Sequence, residues 1–172
     1  AATATTLEVT KNVTNEVINK VTGEVTNEVS LNRQIVLAGG DVTLALAQGL
    51  DKVTAGQAIS GSGSITKTGT GDLTLDAANT YTGGTHIKEG SVTLSKEGSS
   101  LGSDVVTLAD GTTLNTKANV SIANQTALGG LVTVNTADQT SATFVSTAVI
   151  SDASNANKGI LKKEGKGTLV LN

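Results

Sequence analysis

Beyond residue 34 the chain sets apolar positions among polar ones in short bursts: Leu73 and Leu75, Val92 and Leu94, Leu114, Val120 and Ile122, Val132 and Val134. Every second side chain of a strand points to the same side, so each burst reads as a short strand with one buried face. Between the bursts stand Gly83-Gly84, Glu89-Gly90, Asp110-Gly111 and Gly129-Gly130, residues suited to tight corners. Equivalent bursts recur roughly every 20 residues, the length of one solenoid coil. Each coil adds one strand spacing of ~4.8 Å, so the pattern predicts a short rod. Its core is expected to form as each coil buries its faces against its neighbours.

Residues 8–30 follow a different rule. Val9, Val13, Val17, Val21, Val25 and Val29 recur every fourth residue, interleaved with Thr, Asn, Glu and Lys. On a helix a step of four residues advances about 400°, so the valines would wander off any one face. β-Branched density also disfavours a helix. On an extended chain all six share one side, with Thr10, Thr14, Ile18, Thr22 and Thr26 on the other. Fully extended, the segment would span about 75 Å, longer than the rod is tall. It must therefore bend, pair within the chain, or pair with a neighbour. Two expectations follow: strand addition to another subunit, or a fold-back as the first coils with Gly23 at a corner.

Two stretches repeat. Ser64–Asp76 lines up with Ile160–Asn172 through the shared pattern apolar-x-Lys-x-Gly-x-Gly-x-Leu-x-Leu, and Gly39-Gly40-Asp41-Val42-Thr43-Leu44 echoes Gly129-Gly130-Leu131-Val132-Thr133-Val134. The first stretch continues into Asn79-Thr80-Tyr81-Thr82-Gly83-Gly84-Thr85-His86-Ile87 and Glu89-Gly90-Ser91-Val92. These residues resemble the autotransporter-associated β-strand repeat of bacterial passenger domains. Leu101-Gly102-Ser103, Val106-Thr107-Leu108 and Gly111-Thr112-Thr113-Leu114 resemble the coil that often follows it. The resemblance spans roughly residues 34–172 and implies a right-handed parallel β-helix exported to the cell surface. That family is mostly scaffold and implies no catalytic residues. These 172 residues contain no stretch expected to form a translocator barrel and are few for a passenger, so the expectation is either a fragment or a small exported protein that uses the same repeat differently.

Composition narrows the alternatives. Proline, cysteine, methionine and tryptophan are absent, and Tyr81 and Phe144 are the only aromatics. A core of Val, Leu, Ile and Ala among 20 glycines suits thin stacked strands and not a helical bundle. Without cysteine there are no disulfides or thiolate metal sites. Net charge is −3, and the one basic cluster, Lys162, Lys163 and Lys166, has no aromatic platform beside it. It reads as a solvated face, and nucleic-acid binding is not expected. No run reaches the ~18 apolar residues of a membrane span, and the aromatic girdles of a membrane barrel are missing. The opening Ala1-Ala2-Thr3-Ala4, with no methionine, is expected from signal-peptide cleavage or trimming.

Candidate chemistry is sparse. His86 is the sole histidine, too few for a zinc site of three or four ligands, and reads as an exposed strand residue. Gly98-Ser99-Ser100-Leu101-Gly102 matches G-x-S-x-G, but a nucleophile elbow needs a strand-to-helix turn and a triad histidine. Asp41, Asp51, Asp72, Asp76, Asp104 and Asp110 would have to pair for glycan cleavage, yet most fall at turns where Asp is expected anyway. The repeating Gly-Gly-x-Gly-x-Asp pattern of calcium-binding β-rolls is absent. The sequons at Asn12, Asn119 and Asn124 are expected by chance in so Asn- and Thr-rich a chain.

The expected architecture is therefore all-β: a right-handed parallel β-helix (β-solenoid) over 31–172 with an extended arm over 1–30. The expected function is a non-enzymatic extracellular subunit of a surface fibre or matrix, with no cofactor. The alternatives are a passenger stalk or adhesin fragment and, more remotely, a polysaccharide-cleaving β-helix enzyme. The expected partner is another copy of the chain in a homo-oligomer or homopolymer, with host or cell-surface glycans or proteins as further partners. Self-association is expected to use Val9, Val13, Val17, Val21, Val25 and Val29 of the arm. Leu169 and Leu171 are expected at an uncapped solenoid end.

Overall fold

A computed structural model describes residues 5–9, 28–31, 34–46, 52–136, 143–146, 149–153 and 158–172. The chain winds as a β-solenoid, all its strand pairs parallel, with no helix among the described residues. The first coil holds β1 (Thr5–Val9), β2 (Glu28–Leu31) and β3 (Ile35–Leu37), and the second β4 (Asp41–Leu46), β5 (Lys52–Ala55) and β6 (Ile59–Gly61). Two coils with two strands each follow: β7 (Ser64–Thr68) and β8 (Asp72–Leu75), then β9 (Thr85–Ile87) and β10 (Ser91–Leu94). Next come β11 (Val106–Ala109), β12 (Thr113–Thr116) and β13 (Val120–Ile122), then β14 (Thr126–Gly129), β15 (Leu131–Thr136) and β16 (Thr143–Ser146). The last described coil holds β17 (Ile150–Asp152), β18 (Ile160–Glu164) and β19 (Thr168–Leu171).

Two seven-stranded sheets form the main walls, β1-β4-β7-β9-β11-β14-β17 and β2-β5-β8-β10-β12-β15-β18. The third side carries the short sheets β3-β6 and β13-β16-β19. Register aligns like with like. One inward column of the second sheet runs Val53, Leu73, Val92, Leu114 and Val134. The alternating residues singled out from the sequence are the core: Leu73, Leu75, Val92, Leu94, Leu114, Val120, Ile122, Val132 and Val134 are all buried. Apart from the ring of Tyr81, area is buried by repetition, small layer upon small layer.

Both ends of the arm pair within the chain, Thr5–Val9 with β4 and Glu28–Leu31 with β5. Val9 lies in β1 and Val29 in β2. Val13, Val17, Val21 and Val25 lie outside the described residues.

The third side has no strand in the two middle coils, and side chains do the joining there. Asn79 Oδ1 accepts the Ile59 amide at 2.8 Å, and its Nδ2 donates to Ser100 O at 2.7 Å. Ser100 Oγ accepts the Asn79 amide and donates to the Asn79 carbonyl, both at 2.9 Å. One asparagine thus joins three successive coils. Tyr81 fills the same side, fully buried, with its hydroxyl 2.6 Å from Thr85 Oγ1, which itself donates to Leu101 O at 2.9 Å. Gly102 lies against the ring: a Cβ there would stand 2.5 Å from Tyr81 Cε2.

Two expectations concern this core. Gly98 and Gly102 share a positive φ, +78° and +70°, but a Cβ on Gly98 meets nothing within 4 Å. Gly98→Ala should cost about 1 kcal/mol from backbone strain alone, and Gly102→Ala about 3 kcal/mol because the ring must also move. Urea unfolding of the two variants measures the difference; equal losses would mean Tyr81 does not pack as described. Thr116 Oγ1 is buried without a protein partner, so Thr116→Val should raise stability by about 1 kcal/mol.

Candidate functional site

The residues with most unusual surroundings lie where β7 turns into β8. Alternation places Lys67 inward beside Ile65, in the column Leu44, Lys67, Ile87, Leu108. Its side chain is fully buried. A buried ammonium must be hydrogen-bonded, and here Nζ donates to three main-chain carbonyls: Gly69 at 2.6 Å, Glu89 at 2.9 Å and Thr68 at 3.5 Å. Glu89 belongs to the next coil, and its Oε2 accepts the Gly69 amide at 3.0 Å. A Cβ on Gly90 would stand 2.8 Å from Lys67 Nζ and 2.6 Å from Gly69 O, so glycine alone leaves room for the corner. Burial pulls the Lys67 amine down to about 8, an effect that the carboxylates of Asp72 and Glu89 oppose. Burial pushes the Tyr81 hydroxyl up to about 12, opposed by its bond to Thr85.

Asp72 anchors the outer face of the second sheet. Its Oδ1 accepts from Ser91 Oγ and Thr93 Oγ1, both at 2.7 Å, and its Oδ2 from Thr74 Oγ1 at 2.8 Å. The network continues upward as Asn115 Nδ2 donates to Thr93 Oγ1 at 3.3 Å and Asn135 Nδ2 to Asn115 Oδ1 at 3.1 Å. Register makes this a ladder along the rod axis.

The other candidate residues have similar duties. Asp41 accepts from Ser64 and Asp76 from Ser95, Asp76 also standing 3.6 Å from Lys96 Nζ. Asp110 accepts the Leu131 amide at 2.7 Å, and Asp104 the neighbouring Val105 amide at 2.8 Å. Asp51 lies outside the described residues. In the Gly98–Gly102 segment, Ser99 Oγ accepts the Lys96 amide at 3.2 Å and Ser100 is bonded to Asn79. His86 is half-buried in β9, on the outer side of the first sheet between Thr66 and Thr107. Among the described residues no three His, Cys, Asp or Glu gather as a metal site. Asn124, in one of the sequons, is buried and donates to Asp104 O at 2.5 Å and Gly102 O at 3.2 Å.

Leu169 and Leu171 lie in β19, the first partly buried against the core and the second exposed. They share columns with Val120 and Ile122 through β16. Sequence reasoning missed Lys67, which a charge-based reading puts outside. The available signal was its even spacing from Ile65, which shares its face.

Comparison with protein families matches the passenger-associated-transport-repeat to residues 65–94. The matched stretch contains Lys67, Asp72, Asn79, Tyr81 and Glu89-Gly90, the residues that bind one coil to the next. With the β-solenoid fold, it is consistent with autotransporter passenger repeats. Neither the curated proteins nor the solved structures gave a match.

Lys67 sets a pH dependence. Between about 8 and its ordinary 10.5, the unfolded chain holds a proton that the folded chain has released. Raising the pH through that window therefore favours the folded state. The wild-type urea midpoint should climb across it, and Lys67→Met should abolish the climb. Lys67→Met should also be about 2 kcal/mol less stable at neutral pH, because three carbonyls lose their donor. A parallel climb in both proteins would show that Lys67 is not its source.

Proposed function

We propose that this chain is a structural passenger-type β-solenoid, secreted or displayed at a bacterial cell surface, that works by associating with copies of itself in a fibre or matrix. The observation that carries the reading is the passenger-associated-transport-repeat at residues 65–94, whose strands lie within the two seven-stranded parallel sheets. A passenger repeat implies a secreted or surface-exposed protein. The polar side chains of this stretch serve cohesion: Asp72, Asn79, Lys67 and Glu89 each bond to a neighbouring coil. Glycan cleavage would require a pair of carboxylates at the scissile bond, whereas Asp41, Asp72, Asp76 and Asp110 hold inter-coil bonds, which favours the structural role. Self-association is supported by the general tendency of parallel sheet edges to recruit further strands.

Sedimentation velocity and negative-stain electron microscopy of the 172-residue chain across the micromolar range test the proposal. We expect a sedimentation coefficient that rises with concentration and rods longer than one chain can form. Monodisperse short rods at every concentration would reject self-association and leave a passenger stalk or adhesin fragment.

A further inference from the structure

We draw no further inference here: the strongest candidate, the exposed apolar pair Leu131 and Ile160 stacked in register on the outer face of the second sheet, is an unpartnered surface patch, and nothing in the structure shows what covers it.

Discussion

A coil in this solenoid is half a structure. Its main-chain amides and carbonyls point along the rod axis, so every strand needs the coil before and the coil after to satisfy them. That demand shapes the rest of the molecule. It keeps like residues in register, because a slip of one position would exchange the core face for the outer one. It explains why buried polar atoms find partners one coil away, about 20 positions along the chain, as in Asn79 with Ser100 and Lys67 with Glu89. Cohesion along the axis, and not a single large core, holds the chain together.

This constraint accounts for what could be read in advance. Alternation identified the inward residues of β8, β10, β12, β13 and β15, because period two survives in any strand with one buried face. Gly90, Gly111 and Gly130 turn corners with positive φ, as their place in the sequence suggested. The passenger resemblance found in the Lys-x-Gly-x-Gly corner and the Asn-Thr-Tyr-Thr-Gly-Gly stretch coincides with the family match over residues 65–94.

What escaped is equally physical. Lys67 carries a charge, and average hydropathy places it outside, although its parity with Ile65 places it inside. The two copies of the lysine corner lie on different sides of the solenoid: Lys67 precedes the turn from the first sheet to the second, and Lys163 the turn from the second to the third. A corner motif specifies how to turn, not which turn it is, so sequence similarity between the copies did not fix their phase. On the third side, β-propensity had little to act on, since Asn79, Tyr81 and Ser100 join coils through side chains and loop backbone.

The position of Asn79 has a consequence for how the rod comes apart. Most ladder bonds tie one coil to the next, so a solenoid held by them alone could fray one layer at a time. Asn79 joins the coil of Ile59 to its own, and its own to the coil of Ser100. Losing either outer layer strands polar atoms of Asn79 in the middle one, and losing the middle layer strands the Ile59 amide and the Ser100 carbonyl. Here the smallest segment that can open without that penalty is three coils thick, which makes the middle of the rod a clamp against peeling from either end.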